Sequence, residues 1–184
     1  MNLPGVIPMG EIADRMALAD LVMRYCRGID RRDYALVRSL YHDDAIDDHG
    51  AMFCGGPDDY VAWLKDFMPR WDATVHAIHN SLFVIDGDRA EGEHVVTAYH
   101  RTLPPAREEI IVGGRYLDRY EKRGGQWKFS HRSLVFDSGR VQPVDEAAFA
   151  ALGGDAALGG DAAHGTADRS DPSWQLSLLA GLGT

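Results

Sequence analysis

The chain has 184 residues, and its 19 Lys and Arg against 28 Asp and Glu give a formal net charge of −9. That length suits one domain with a short extension, and a 45% apolar composition is enough to build a buried core. Nucleic acid and anionic membranes are poor partners for such a chain, because both select proteins with clustered Lys and Arg.

Cysteine content and targeting signals indicate the compartment. Only Cys26 and Cys54 occur, which is too few for the disulfide framework of a small secreted protein. Residues 1–10 lack the charged start and apolar core of a signal peptide, and no stretch approaches the 18 or so apolar residues of a membrane span. We therefore expect a cytoplasmic protein with no membrane partner.

The first third of the chain has the apolar spacing of helices. Between Glu11 and Ile29, apolar residues recur every three or four positions, at Leu18, Val22, Tyr25 and Ile29. A polar break at residues 30–33 precedes a second short helix, whose inward residues are Tyr34, Val37, Leu40 and Tyr41. A third helix is predicted from about Asp58 to Met68, with Pro69 as its stop.

After Pro69 the apolar period changes to two, which is typical of strands. The predicted strands are Val75–Ile85, Ala90–Arg101, Glu109–Lys122 and Gln126–Asp137. Gly-containing turns join them as two hairpins. Helices followed by antiparallel strands indicate an α+β fold, and three helices on one face of a curved four-stranded sheet would enclose a pocket of small-molecule size.

The end of the chain has a different composition. We expect the folded domain to span residues 1–144 and a Gly/Ala-rich tail to follow over 145–184. Residues 151–156 repeat at once as residues 157–162, which is too short for a solenoid and is typical of low-complexity sequence. The tail is predicted to be a mobile linker with a short docking segment at Trp174, Leu176, Leu178 and Leu179.

Signatures of nucleotide cofactors and of zinc proteases do not occur: the chain has neither a G-x-x-x-x-G-K-[ST] loop nor an H-E-x-x-H pair. The densest polar cluster, residues 42–49, has four Asp and two His, and a divalent metal there is the main competing interpretation. Contiguous residues point in different directions, however, and the spacing fits neither an EF-hand nor a zinc site. We predict a solvated acidic loop, no metal and no cofactor.

His76 is the main candidate for acid/base chemistry. Strand alternation places His76 on one face with Ile78, Asn80 and Leu82. An imidazole, with an ordinary pKa of ~6.5, is the natural base at neutral pH, above all when a carboxylate holds its other nitrogen. Asp30, just past the apolar face of the first helix, is the carboxylate best placed to reach the sheet. The alternative is a histidine that is simply satisfied within the core.

An ordered set of short motifs runs along residues 10–144: Tyr25…Asp30, Thr74-Val75-His76…Asn80, Asp86-Gly87-Asp88, Ala98-Tyr99-His100-Arg101, Gly114-Arg115-Tyr116 and Trp127-Lys128-Phe129…Arg132. The set resembles the SnoaL-like branch of the nuclear-transport-factor-2-like superfamily, and within it the scytalone dehydratase and γ-hexachlorocyclohexane dehydrochlorinase members. That resemblance implies a cone-shaped, cystatin-like α+β barrel that uses no cofactor, forms a homodimer or homotrimer and holds an Asp–His dyad inside.

The resemblance also implies roles for individual residues. Asp30 and His76 match the dyad, Arg132 matches an active-site arginine, and His100 lies about where the dehydratase has a second histidine. Tyr25 stands where the dehydrochlorinase has a lysine. Because a phenol polarises an oxygen but supplies no fixed cation, an oxygen leaving group or a carbonyl fits better than a halide.

These roles predict a cofactor-independent lyase acting on a small hydroxylated, aromatic substrate, by dehydration or by retro-aldol, deformylating C–C cleavage. The candidate pocket residues are Trp63, Phe67, Asn80, Tyr99 and Tyr116, although aromatic side chains also suit plain core packing. Two alternatives stay open at this point: an isomerase or cyclase with the same base, and a non-catalytic small-molecule binding module. A binding module has no need for a carboxylate behind an interior histidine.

Overall fold

A computed structural model describes residues 7–105, 107–151 and 165–183. The helices are α1 (Met9–Asp30), α2 (Tyr34–Ser39), α3 (Pro57–Phe67), α4 (Glu146–Ala151) and α5 (Ser177–Ala180). The strands are β1 (Tyr41–Asp48), β2 (Cys54–Gly55), β3 (Trp71–Asp86), β4 (Arg89–Thr102), β5 (Glu108–Arg123) and β6 (Gln126–Pro143). The three N-terminal helices and the four long hairpin strands lie where the sequence predicts them.

The strands form one curved sheet in the order β2-β1-β6-β5-β4-β3. All neighbours are antiparallel except β1 and β6, which pair in parallel. The α+β fold is therefore confirmed, with two differences from the prediction. The sheet has six strands where four were expected, and it stays unclosed, so β2 and β3 are edges of an open cone and the barrel is not complete.

The extra central strand, β1, is the segment predicted to be a solvated acidic loop, and that prediction is wrong. Its buried members are Tyr41, His42, Ala45 and Asp47, while Asp43 and Asp44 are exposed. The buried polar groups have partners: His42 Nε2 lies 2.8 Å from the Glu121 carbonyl, and the Tyr41 hydroxyl donates to Asp47 at 2.6 Å. Strand alternation is visible in a sequence only when the buried face is apolar, so this strand gave no hydropathy signal.

Helix α1 covers the concave face of the sheet with one apolar stripe, whose buried members are Leu18, Leu21, Val22, Tyr25, Cys26 and Ile29. Burial of each such side chain contributes roughly 1.5–3 kcal/mol. The helix ends at Asp30, and Asp33 then caps α2 by accepting a hydrogen bond from the Leu36 amide at 3.2 Å. This tight turn fixes the last residue of α1 against β3.

A bulge interrupts the pairing of β3 with β4. Ile78 lies opposite Val96, but the next paired residue, Ser81, lies opposite His94, so β3 has one extra residue there. An extra residue reverses which side chains face the core. His76 and the buried Phe83 therefore face inward on the two sides of the bulge, and the predicted common face of residues 76, 78, 80 and 82 does not persist.

The last described segment, residues 165–183, packs back on α1. Arg27 Nη1 donates to Ser173 Oγ at 3.2 Å, and the Arg27 guanidinium lies 5.5 Å from the centre of the Trp174 ring. Trp174 thus contacts its own chain, whereas Leu178 is 89% exposed. The repeat at 151–162 lies outside the described residues except for Ala151. None of the described helices is long and apolar enough to cross a membrane.

Candidate active site

His76 and Asp30 form a hydrogen-bonded pair where the end of α1 meets β3. His76 Nδ1 lies 2.7 Å from Asp30 Oδ1, and the other carboxylate oxygen accepts the backbone N–H of His76 at 2.8 Å. Only 10% and 12% of the two side chains are exposed. A carboxylate at Nδ1 selects the tautomer with the proton on that nitrogen, which leaves Nε2 with a free lone pair. This is the geometry of a general base.

His76 borders a cavity of about 430 Å³ between α1, α3 and the concave face of the sheet. The walls are mostly apolar and aromatic, and they include Trp63, Phe67, Trp71, Leu134 and Phe136. Three imidazoles and three phenols lie at the wall: His49, His76, His100, Tyr25, Tyr60 and Tyr116. A small apolar cavity with a few convergent polar groups is typical of a site for an organic molecule.

His100 lies in the cavity wall beside the dyad. Its ring centre is 5.5 Å from that of His76 and 4.9 Å from that of Trp71. Burial, and then repulsion from a charged His76, lowers the pKa of His100 to about 4. His100 is therefore a neutral imidazole at neutral pH, able to donate or accept a hydrogen bond but not to act as a cation.

Tyr25 reaches the cavity from α1, and its hydroxyl lies 2.6 Å from that of Tyr60. Burial raises the pKa of the Tyr25 phenol, and the field of Asp47 acts in the same direction. The phenol consequently keeps its proton at neutral pH. It can polarise an oxygen of a bound molecule through a hydrogen bond.

Arg132 does not reach the cavity wall, which corrects the direct role that the resemblance implied. It is fully buried and bonded to Asp118 through Nε at 2.8 Å and Nη2 at 2.6 Å. Its guanidinium lies 4.0 Å and 4.1 Å from the ring centres of Tyr25 and Tyr116, which separate it from the cavity. The guanidinium therefore contacts the site only through the buried sides of these two rings.

The predicted pocket residues divide into two groups. Trp63, Phe67 and Tyr116 line the cavity. Asn80 is exposed, because the bulge after Ile78 moves it away from the concave face. Tyr99 lies between two cavity residues of β4, so alternation turns it to the convex side, where its hydroxyl donates to Glu109 at 2.9 Å.

Sequence reasoning missed three polar groups of the cavity: His49, Tyr60 and Trp71. His49 was assigned to the solvated acidic loop. Its spacing from Asp47 is the signal that could have found it, because residues two apart share a strand face. Trp71 Nε1 is buried and has no hydrogen-bond partner among the described residues, so it is a donor available to a bound molecule.

Among the residues that the structure covers, no group of three or more His, Cys, Asp or Glu side chains is arranged to hold a metal ion. In the 42–49 segment, the side chains diverge. His42 bonds a backbone carbonyl, Asp44 pairs with Arg123 at 2.7 Å, and Asp47 is buried on the concave side.

Known proteins resemble the chain in sequence and in fold. Hexachlorocyclohexane dehydrochlorinase 1 of Sphingobium indicum is 27% identical over 127 residues, covering 66% of this chain and 80% of the relative. A scytalone dehydratase-like crystal structure from Novosphingobium aromaticivorans superposes with a TM-score of 0.64 at 24% identity, covering 71% of this chain and 88% of its own. A cystatin-like protein of Nostoc punctiforme gives a TM-score of 0.56 at 16% identity, covering 74% and 96%.

These likenesses confirm the predicted cystatin-like fold class. The family itself is established by sequence, because residues 10–133, more than half of the chain, match the model of the SnoaL-like domain. The chain belongs to the SnoaL-like domain family, within the nuclear-transport-factor-2-like superfamily.

Proposed function

We propose that the protein is a cofactor-independent lyase that acts on a small hydroxylated, aromatic molecule. One observation carries the proposal: an imidazole backed by a carboxylate at 2.7 Å presents its free nitrogen to an apolar cavity. A cavity that only binds apolar molecules has no use for a buried Asp–His pair, which costs desolvation energy to bury. The dehydrochlorinase relative supports elimination chemistry.

In a dehydration, His76 Nε2 takes a proton from carbon. The electron pair of that C–H bond forms a new C=C bond, the C–O bond breaks, and the hydroxyl takes up a proton and leaves as water. Asp30 keeps the imidazole in the required tautomer and stabilises the imidazolium that forms. The Tyr25 phenol, at the same cavity wall, stabilises charge on the substrate oxygen through a hydrogen bond.

Retro-aldol cleavage uses the same base differently. His76 removes the proton of a hydroxyl group, the C–O bond becomes a carbonyl, and the adjacent C–C bond breaks. The released electron pair is protonated on carbon. Both routes give a conjugated product from an aromatic substrate, and neither requires a group outside the chain's own side chains.

An ultraviolet-absorbance assay tests the proposal. A panel of hydroxylated aromatic compounds able to gain a conjugated double bond is incubated with the wild type and with His76→Ala, in the presence of chelator. The matched control is His79→Ala, which changes an exposed imidazole on the same strand that bonds Thr97 at 2.9 Å. We expect a chelator-insensitive absorbance rise that is lost in His76→Ala and kept in His79→Ala.

Other outcomes select the competing functions. Saturable binding without turnover in any of the three proteins contradicts a lyase on these substrates and favours a binding module. Exchange of substrate hydrogen with deuterated solvent, without loss of water or carbon, favours an isomerase or cyclase. Activity abolished by chelator contradicts the absence of a cofactor.

The assembly and compartment belong to the same proposal. The convex side of the sheet exposes large apolar side chains: Val75 at 51%, Leu82 at 66% and Val84 at 63%. Such a surface favours a homodimer or homotrimer in solution, which light scattering measures directly. Both cysteines are free, and reduced thiols suit a cytoplasmic protein.

A further inference from the structure

We propose that His49, held by Asp47, is a second acid/base residue of the same cavity and gives its proton to the leaving oxygen. This inference rests on the lyase function proposed above and names the proton donor that the function requires. Tyr25 and His100 are both in the cavity wall but suit that task poorly. Burial raises the pKa of Tyr25, so the phenol holds its proton at neutral pH, and burial lowers the pKa of His100 to about 4, so that imidazole carries no acidic proton to give.

The pairing of His49 with Asp47 repeats the geometry of the first dyad. His49 Nδ1 lies 2.6 Å from Asp47 Oδ1, and 9% and 0% of the two side chains are exposed. The His49 amide also donates to the Phe53 carbonyl at 2.7 Å, which anchors the backbone just after β1. Within the described part of the chain no hydrogen bond occupies His49 Nε2, and the ring lines the cavity.

The two histidines lie at opposite ends of an arc of ring contacts around the cavity. From His49, successive ring centres are 6.1 Å apart to Trp63, 4.5 Å to Phe67 and 5.9 Å to Trp71. The arc continues from Trp71 to His100 at 4.9 Å and ends at His76 after 5.5 Å. Both imidazoles therefore border the same cavity, at the two ends of one run of aromatic rings.

Buried charge distinguishes the two histidines. Asp47, Asp118 and Arg132 are all buried, and Asp47 lies in register with Arg132 on the neighbouring strand. Arg132 already gives two hydrogen bonds to Asp118, so the second carboxylate lacks a full countercharge. An uncompensated buried carboxylate is costly, and His49 is the imidazole that contacts it, through Nδ1 at 2.6 Å. His49 therefore lies beside the carboxylate with the weaker countercharge, which assigns it the acid side of the proposed step.

The charged neighbours of His76 differ from those of His49. Asp30 is already influenced by the positive charge of Arg32, which bonds Thr74 Oγ1 at 3.1 Å close to the dyad. The ring centre of the neutral His100 lies 5.5 Å from that of His76. The dyad on β3 therefore supplies the base and the pair at the end of β1 supplies the acid.

In the resulting step, His76 takes the proton from carbon and becomes an imidazolium. The C–H electron pair forms the double bond, the C–O bond breaks, and His49 gives its Nε2 proton to the departing hydroxyl. Water is the second product. His49 ends neutral and His76 charged, and proton exchange with solvent restores the starting state.

Two benzisoxazoles test this division of labour, because they are bicyclic aromatics whose elimination needs only a base and an acid. The base removes the proton at C3, the N–O bond breaks, and the oxygen becomes a phenol beside a new nitrile. 5-Nitrobenzisoxazole releases a stabilised phenolate that needs little protonation, whereas 1,2-benzisoxazole releases a more basic oxygen. Release of either phenolate is followed by absorbance.

We expect His49→Gln to lower kcat/KM for 1,2-benzisoxazole by about 10- to 100-fold and for the nitro compound by no more than about 3-fold. His76→Gln is expected to remove turnover of both compounds, and His79→Gln, outside the cavity, to change neither. Equal losses on the two compounds in a folded His49→Gln protein overturn the acid role of His49 while leaving the lyase proposal standing. No His76-dependent turnover of either compound overturns the lyase base, and the acid role with it.

A spectroscopic measurement decides the point without a substrate. In wild-type protein labelled with ¹⁵N-histidine at neutral pH, we expect both ring nitrogens of His49 to carry protons and His76 to show one protonated and one bare nitrogen. The signals are assigned from His49→Gln and His76→Gln. A neutral His49 overturns the inference even where a His49→Gln variant fails to fold.

Discussion

Two of the buried histidine–carboxylate groups in this molecule, His76 with Asp30 and His94 with Asp118, use the same residue types in different ways. At the cavity, His76 bonds Asp30 through Nδ1 and keeps Nε2 open. In the buried core, both ring nitrogens of His94 are hydrogen-bonded, to Ser81 Oγ at 3.0 Å and to the Tyr120 hydroxyl at 2.8 Å. The first group leaves a ring nitrogen open to a bound molecule, and the second leaves none.

The comparison shows that a histidine near an aspartate is not by itself a catalytic pair. The Tyr120 hydroxyl donates a hydrogen bond to Asp118 at 2.8 Å, and Asp118 in turn accepts hydrogen bonds from the buried Arg132. Each polar group of that network, except Arg132 Nη1, has a partner within the described residues. A free ring nitrogen facing a cavity is the feature that separates the functional pair from the structural one.

The largest expected effect is on catalysis by the His76–Asp30 pair. His76→Gln keeps the side-chain size but removes the titratable nitrogen, so kcat/KM on any substrate of the proposed lyase should fall by about 10²- to 10⁴-fold. Steady-state kinetics measures the loss, and the melting temperature serves as the control. A variant with near wild-type activity would contradict the proposed base.

Substitutions in the buried network of His94, Tyr120, Asp118 and Arg132 should lower the free energy of unfolding. Asp118→Ala leaves Arg132 charged, buried and unpaired, so the free energy of unfolding should fall by about 3–5 kcal/mol. Urea titration measures the change. Asp137→Ala is the matched control, because its pair with Arg115 at 3.0 Å is exposed and its loss should leave the free energy of unfolding almost unchanged. Equal effects of the two variants would show that the network is not a sealed structural unit.

The pH dependence of stability should reflect the lowered pKa of the buried His94. Burial lowers the pKa of His94 to about 4, although Asp118 acts in the opposite direction. Between pH ~6.5 and about 4 the unfolded chain therefore binds a proton that the folded chain refuses, and stability falls as the pH falls. His94→Gln should reduce that slope by up to about 1.4 kcal/mol per pH unit. An unchanged slope in urea titrations over this range would rule out a neutral buried His94.

The smallest effect concerns residues that the sequence placed in the pocket and the structure places outside it. Asn80→Ala and Tyr99→Phe should leave kcat/KM within about twofold and stability within about 0.5 kcal/mol, as for most surface changes. Trp63→Ala, in the cavity wall, should instead raise KM. A KM increase for Asn80→Ala as large as that for Trp63→Ala would show that β3 does not adopt the bulged register.

The order of elements and the main dyad were accessible from the sequence. Apolar periods of three to four and then two predicted the helices and the four long strands, since these elements bury one apolar face. Asp30 and His76 followed from their positions at a helix end and on a strand face, together with the family motifs. Local periodicity and residue chemistry suffice where the burial pattern is regular.

Only the tertiary structure decided the rest of the site. One extra residue in β3 turned Asn80 outward, because a bulge reverses alternation without changing the local sequence pattern. Pairing between β1 and the distant β6 buries Asp47 and brings His49 to the cavity. The sequence of the same residues had predicted a solvated acidic loop. Burial of a charged side chain depends on the partners that the whole fold supplies, so no local pattern could reveal it.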